Sequence, residues 1–251
     1  MALTNFYSIL LRAMIAMQQA DTYRHKGLRK ELVRELASNP RYFNRDRNKW
    51  EPRQPITDKA VLTALENVPR HLFFGNDSIF FESYAYKDTA FQIGEEQTIS
   101  QPYTVARQSE LLQVQPREKI LEIGTGSGYQ AAVLDVLGAR VYTIERHRKL
   151  YERTRPFLES MNYTNVRCFF GDGFEGLPMF APFDKVVITA AVPELPKKLL
   201  RQLKTGGQMV LPYGDETNCT MVRITKQGED QYSTETFETF AFVPMLKGKV
   251  F

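Results

Sequence analysis

The chain has 251 residues, 43% hydrophobic and 25% charged, which is a globular composition and excludes a disordered or fibrous chain. Its 33 basic and 29 acidic side chains leave a net charge of +4, interleaved along the sequence without the clustering of a nucleic-acid footprint. Two cysteines, Cys168 and Cys219, are too few for a disulfide framework, and His25, His71 and His147 sit in no ligand-spaced motif, so no metal is expected, with spatial convergence left open.

Taken in chain order, "FYSILLRAMIAM" is apolar over 12 residues and carries Arg12. That is too short to span a bilayer and lacks the basic flank of a signal peptide, so residues 1–20 read as an N-terminal extension or amphipathic helix. Residues 19–38 show helical periodicity, with Leu28, Leu32, Val33 and Leu36 on one side. Residues 39–55 contain three prolines and many charges and predict an irregular surface segment, an insertion near 39–54. Thr57 or Asp58 caps a further helix carrying Val61, Leu62 and Leu65 and ending near Pro69. From Phe73 to Gly94 the chain is aromatic-rich and irregular. "TISQPYTVARQSELL", Thr98 to Leu112, opens as a polar turn in which Thr98 and Ser100 can satisfy backbone donors, and Pro102 suits the first turn of the helix that follows.

From Lys119 strands and helices alternate. "KILEI", "RVYTIE", "VRCFF", "FDKVVITA" and "GQMVLPYG" predict five strands; "YQAAVLDVLG", "HRKLYERTRPFLESMN" (disturbed near Pro156) and "KKLLRQLK" predict helices between them. Two more strand-like runs on either side of Gly228 lack an intervening helix and predict an antiparallel pair at a sheet edge. The expected fold is α/β and Rossmann-like: a mostly parallel seven-stranded sheet with an antiparallel C-terminal pair and helices on both faces. Residues 119–251 form the cofactor-binding core, and residues 21–118 form a helical, substrate-side segment packed on it.

"LEIGTGSG" places Gly124, Thr125, Gly126, Ser127 and Gly128 between a strand and a helix, a turn that admits close approach of a ligand. Glu145 follows Gly124 by 21 residues, at the end of the second strand, where a carboxylate can accept from both hydroxyls of a ribose. A dinucleotide turn has the spacing G-x-G-x-x-G, whereas this one is G-x-G-x-G with Glu122 two residues ahead. A carboxylate there sits poorly with a pyrophosphate and well with a cationic head. Spacing and charge therefore favour S-adenosylmethionine over a nicotinamide dinucleotide. Asp172 and Gly173, after the third strand, suit the adenine edge. At the fourth strand "TAAV", Thr189 to Val192, carries no N/D-P-P-Y/F-type tetrad, which favours an oxygen acceptor over an amino group.

Together these segments resemble the protein-L-isoaspartate O-methyltransferases. "YKDTAFQIGEEQTISQPYTVA" is similar to the family signature ahead of the cofactor loop, and "LEIGTGSGYQAAVL", "GDGFEGLPMFAPFD", "LKTGGQMVLPYG" and "FVPMLKG" follow in family order. The resemblance implies methyl transfer from S-adenosylmethionine to the free α-carboxylate of an isoaspartyl residue in a damaged protein or peptide, with Ser100 and Thr98 catalytic. It implies that Ile99, Gln101, Phe242, Val243 and Pro244 lie on the substrate side. Departures from the family pattern are Glu95 and Glu96 ahead of the signature and Ala241 before "FVP". The expected partners are isoaspartyl proteins and peptides, with no nucleic acid or membrane; the chain is expected to be monomeric and cytoplasmic. Competing readings are an O-methyltransferase of a small molecule or RNA, and a non-catalytic protein that retains the cofactor fold.

Overall fold

The computed structural model describes residues 21–44, 47–77, 84–216 and 218–251; the apolar stretch within residues 1–20 lies outside them. The backbone of the molecule is a seven-stranded sheet. The middle one of its five parallel strands is β5 (Lys119–Ile123), which follows two small ribbons in the chain, β1–β2 (Arg41–Asn44, Lys49–Pro52) and β3–β4 (Phe91–Gly94, Gln97–Ile99). From β5 the chain steps outward through β6 (Arg140–Glu145) to β7 (Val166–Phe170), then returns to the other side of β5 as β8 (Phe183–Ile188) and β9 (Leu203–Gly214). All four of those pairings are parallel. β10 (Cys219–Lys226) is antiparallel to both β9 and β11 (Tyr232–Phe240), and β11 is the edge. The reversal of strand order between β5 and β8 opens a crevice at their carboxyl ends, where open α/β sheets bind ligands.

Strand alternation sorts side chains into two cores. Ile120, Val141, Val187, Val210 and Met221 face one way; Leu121, Tyr142, Val186, Met209 and Val222 face the other. The first face is covered by α1 (Tyr23–Ser38), α2 (Lys59–Asn67), α3 (Pro102–Leu112), α4 (Tyr129–Val136) and α5 (Arg148–Ser160). Among the described residues the second carries α6 (Lys197–Arg201), a short turn at Pro178–Phe180 and an aromatic group in which Tyr142, Phe169, Phe180 and Phe183 touch. No helix among the described residues is long and apolar enough to cross a membrane.

Three local expectations need correction. Residues 39–55 are not irregular: β1 and β2 form a hairpin in which Phe43 faces Trp50 and the Tyr42 hydroxyl donates to Glu51 at 2.8 Å. Its prolines flank the strands or end them, so they interrupt no ladder bond, and neither face is buried enough to leave an apolar period in the sequence. Helix α5 runs unbroken through Pro156, which lies on the solvent face where water can reach the carbonyl that loses its donor. The helix expected over "KKLLRQLK" stops at Arg201, because Gln202 turns its side chain back to the Glu175 and Lys198 carbonyls and Leu203 already pairs with Phe183.

The capping of α3 also differs from expectation. Thr98 is paired in the β3–β4 ribbon, and Gln101 at the N-cap makes no side-chain cap bond. Asp88 does the work from outside: one carboxylate oxygen accepts from the Tyr103 amide at 2.7 Å and the other from the Gln101 side chain at 2.7 Å. Burial pushes the Asp88 carboxyl above its ordinary range, against these two donors.

His25 and His71, far apart in sequence, stack at 3.9 Å, and Asp21 lies close enough for the three to resemble a ligand set. Their bonds are structural ones. Asp21 forms a two-point pair with Arg29 at 2.6 and 2.8 Å, His25 Nδ1 accepts from the Thr22 amide that opens α1, and His71 Nδ1 meets the Tyr86 hydroxyl at 2.6 Å. This knot ties α1 to the segment that precedes the substrate ribbon.

The β3–β4 ribbon turns on Glu95 and Glu96, both at positive φ (51° and 57°) after Gly94 at 90°. A two-residue hairpin turn requires this hand, and side chains with a Cβ adopt it at a cost. Glu95 recovers part of that cost through Lys149 at 3.2 Å. The expected outcome of Glu96→Gly is a gain of about 1 kcal/mol, read as a higher urea midpoint with unchanged slope.

Candidate active site

The site begins where β5 ends. The Gly124 and Thr125 amides both donate to the Ile144 carbonyl of β6, at 2.9 and 3.1 Å, folding the turn across the strand ends. Gly124, Gly126 and Gly128 have φ of 95°, 52° and 84°. A Cβ at Gly124 would lie 2.5 Å from Thr189 Oγ1, and one at Gly128 would lie 2.9 Å from Leu158 and Thr154. The glycines therefore serve two purposes, passing the backbone under β8 and seating the start of α4 on α5.

Glu145 holds this turn open. One carboxylate oxygen accepts from the Gly126 amide at 2.8 Å and the other from the His147 amide at 2.9 Å. Thr125 and Thr143 hydroxyls meet at 2.7 Å beneath the turn, and Thr154 donates to the Gly126 carbonyl at 2.7 Å. The turn is thus preorganised by protein groups alone.

A cleft of about 790 Å³, open to solvent, runs over the turn. It brings together Thr98, Ile99 and Ser100 from the ribbon and its exit; Gly124, Thr125, Gly126 and Ser127 from the turn; and Glu145, Gly173, Val243 and Pro244. The Val243–Pro244 segment is fixed at the end of β8, where the Ala191 amide donates to the Val243 carbonyl and the Met245 amide to the Ala191 carbonyl, each at 2.8 Å.

The remaining site candidates sit behind the walls. Gln101 is bonded to Asp88. Phe242 is buried in the larger core against Phe240. Gly128 lies below the turn. Asp172 accepts from the Phe174 amide at 2.9 Å and the Gly248 amide at 2.7 Å, so its carboxylate fastens the C-terminal segment. That segment continues as Val250, paired with His147, while Arg146 donates to the Lys247 and Gly248 carbonyls.

Glu122 is fully buried on β5, and neither of its oxygens has a hydrogen-bond partner. Burial pushes its carboxyl up to about 8, and the charge of Glu145 adds to the rise; a Thr143 hydroxyl opposes it without reaching hydrogen-bond geometry. Gln130, absent from the sequence-based candidates, lines the cleft: its Nε2 donates to Ser109 at 3.0 Å and its buried Oε1 lacks a partner. Its signal in the sequence is the polar residue directly after the glycine turn on an otherwise apolar helix. Thr189 also lines the cleft, its hydroxyl donating to the Ile123 and Gly124 carbonyls. The thiols are not part of the site; burial pushes Cys168 up to about 12 and Cys219 up to about 11.

The cleft is thus lined by one carboxylate, Glu145, and an unpaired amide oxygen, with Arg146 and His147 beside them and Glu122 buried behind the turn. The strand-end carboxylate and the unpaired amide oxygen suit a ligand that brings hydroxyl donors and positive charge. Sheet order, glycine turn and strand-end carboxylate together define a class I, Rossmann-like methyltransferase.

Comparison with known proteins narrows the class. A family model for protein-L-isoaspartate(D-aspartate) O-methyltransferase matches residues 48–250. A protein-L-isoaspartate O-methyltransferase of Christiangramia forsetii is 47% identical over 229 residues, covering 91% of this chain and 99% of its own, and that of Flavobacterium johnsoniae is 46% identical with the same coverage. A solved protein-L-isoaspartate O-methyltransferase superposes with a TM-score of 0.72 at 25% identity, over 88% of this chain and 67% of its own. A Plasmodium falciparum structure described as a putative member, in complex with S-adenosyl-L-homocysteine, shares the fold at a TM-score of 0.71 and 20% identity, over 89% of this chain and 99% of its own. The chain belongs to the protein-L-isoaspartate O-methyltransferase family.

Glu122 makes folding pH-dependent. Between about 4.5 and about 8 the unfolded chain releases the Glu122 proton while the folded chain keeps it, so the folded state loses stability as pH rises through that window and levels off above it. Glu122→Gln is expected to remove this decline in the cofactor-free protein, by roughly 1.4 kcal/mol per pH unit where it is steepest. Urea unfolding of both proteins at several pH values between 5 and 8.5 measures it; parallel stability curves would contradict the assignment.

Proposed function

We propose that this chain transfers a methyl group from S-adenosylmethionine to the free α-carboxylate of L-isoaspartyl residues in damaged proteins and peptides. The single observation that carries the reading is that the Thr98–Ser100 exit of the ribbon and the Val243–Pro244 segment share one cleft with the glycine turn. Bound there, the cofactor supplies a methyl group on a positively charged sulfur.

Gly124 to Gly128 receive the cofactor backbone-first. Glu145 keeps unused lone pairs for ribose hydroxyls while its amide bonds hold the turn. The unpaired Gln130 amide oxygen faces the cationic end, and Glu122, protonated in the free protein at pH 7, adds negative charge there when a bound cation favours its ionised form. We assign Asp172 and Gly173 to the adenine side, with Asp172 acting through the segment it fastens at Gly248.

The acceptor is a carboxylate, ionised at pH 7 because its reference pKa is roughly 3.5 to 4. No general base is required of the chain, and none is needed to activate Ser100. The Ser100 hydroxyl donates to one carboxylate oxygen and leaves the other free to attack in line. Thr98 and Ile99 wall the acceptor in, and Val243 and Pro244 bear on its peptide backbone; Gln101 and Phe242 hold those walls from behind. Exclusion of water and alignment of the reacting atoms are then the main contributions of the protein. The methyl ester closes to a succinimide, which hydrolyses in part to ordinary aspartate.

Residues 119–251 act as the cofactor-binding core and residues 21–118 as the substrate-side segment. We take the chain to work as a cytoplasmic monomer without nucleic acid or membrane.

The deciding experiment is transfer of labelled methyl from S-adenosylmethionine to an isoaspartyl peptide and to its aspartyl twin. Base-labile label on the first alone is expected; label on neither, with the cofactor bound, would overturn the activity. In the same assay Ser100→Ala lowers turnover about a hundredfold, as loss of a hydrogen bond at the reacting oxygens does, while titration calorimetry shows cofactor affinity nearly unchanged. Glu145→Ala shows the opposite pattern, a cofactor dissociation constant raised by about tenfold or more.

A further inference from the structure

We propose that the β1–β2 hairpin is a docking surface for the polypeptide that flanks the damaged residue, with a preference for acidic, extended stretches. The proposal rests on the isoaspartyl-methylating activity and adds to it a second contact outside the cleft.

The hairpin displays apolar surface that the fold does not use. Phe43 and Trp50 are cross-strand partners with their rings edge to face at 5.6 Å, yet they stay 44% and 59% exposed. Among the described residues β1 and β2 pair only with each other, and while the Trp50 carbonyl of β2 accepts from the Arg41 guanidinium and Pro52 has no N–H, the outer edge of β1 keeps the Arg41 and Phe43 backbone groups for pairing. An extended peptide can add to such an edge through main-chain bonds that do not depend on its sequence, while neighbouring side chains lean on the aromatic pair. That manner of binding suits an enzyme whose substrates share a lesion and no sequence.

The hairpin also carries net positive charge. With Arg53 turned into its root, the described residues of the ribbon hold Arg41, Arg47 and Lys49 against one acid, Glu51, which Arg47 and Lys49 share at 3.1 and 3.5 Å. That excess favours a partner with acidic neighbours around the lesion.

The root of the hairpin places it beside the cleft. The Arg53 amide closes the ribbon on the Pro40 carbonyl at 2.8 Å. The Arg53 guanidinium packs on the rings of Tyr42, Tyr103 and Phe240 at 5.0, 4.6 and 4.9 Å, and the Tyr103 hydroxyl donates to the Gln54 carbonyl at 2.9 Å. Tyr103 is three residues past Ser100 and Phe240 three residues before Val243. Both segments that form the substrate side of the cleft are therefore clamped to the hairpin by one arginine, and a polypeptide leaving the cleft on that side passes along it.

The test compares two isoaspartyl substrates: a tetrapeptide, at most ~14 Å long, and a 15-residue peptide with the same lesion and acidic flanks. In the Phe43→Ala/Trp50→Ala variant KM for the long peptide is expected to rise about fivefold or more, with its kcat, the tetrapeptide KM and the cofactor dissociation constant all unchanged. Lys49→Glu is expected to reduce the preference for acidic over lysine-rich flanks without altering tetrapeptide turnover. Equal effects on both lengths, or none on either, would overturn the docking role while leaving the activity intact. Loss of affinity for a single-stranded oligouridylate with unchanged peptide kinetics would also overturn it, assigning the surface to nucleic acid instead. Failure of the unaltered chain to methylate either peptide would instead overturn the activity on which the proposal rests.

Discussion

One carbonyl organises the active cleft. Ile144, the penultimate residue of β6, receives the Gly124 and Thr125 amides, so the chain leaving β5 must bend sideways before α4 can begin. The bend needs a backbone conformation that side chains resist, and at Gly124 the Thr189 hydroxyl occupies the space a Cβ would fill. Glu145, next in sequence to Ile144, then secures the far limb of the bend through Gly126. The strand that supplies the Glu145 carboxylate is also the one that shapes the turn, so moving either would move both.

Around that bend the protein accepts unfavourable electrostatics in exchange for readiness. Glu122 is buried without partners, close enough to Glu145 for repulsion to matter, and Gln130 keeps an amide oxygen unpaired. Both arrangements cost stability in the free protein. Gln130 lines the cleft and Glu122 lies behind its turn; on the function proposed above, a positively charged ligand would relieve both. The rest of the chain offsets this with well-paired clusters, such as Asp21 with Arg29 and Asp88 with the first turn of α3.

The sheet was largely legible in the sequence because buried parallel strands are short apolar runs, and "KILEI" or "RVYTIE" can hardly be anything else beside a glycine turn. The turn itself was legible because glycines at alternate positions have few other uses. The hairpin over residues 41–52 was hidden, since it buries neither face and its order comes from cross-strand pairing, which leaves no periodic trace. The cap of α3 was misplaced for a related reason: Asp88 is 15 residues from Tyr103, and local reading of "TISQP" credited the nearby hydroxyls. Asp172 shows the limit of strand-end logic, which places an acid at the edge of the crevice but says nothing of the segment that returns to bond it. Gln130 was passed over because one glutamine on an apolar helix looks like surface until its neighbour Ser109 is known.

The two cores meet in the cleft. Ile99, Val105 and Tyr129 in its lining belong to the core under five helices; Ile123, Ile144 and Met245 belong to the core that carries, among the described residues, one helix of five residues. A thinly covered core opens more often than a thick one. Backbone amides around this one cavity are therefore expected to exchange with solvent on a gradient, fastest on the side of Ile123, Ile144 and Met245.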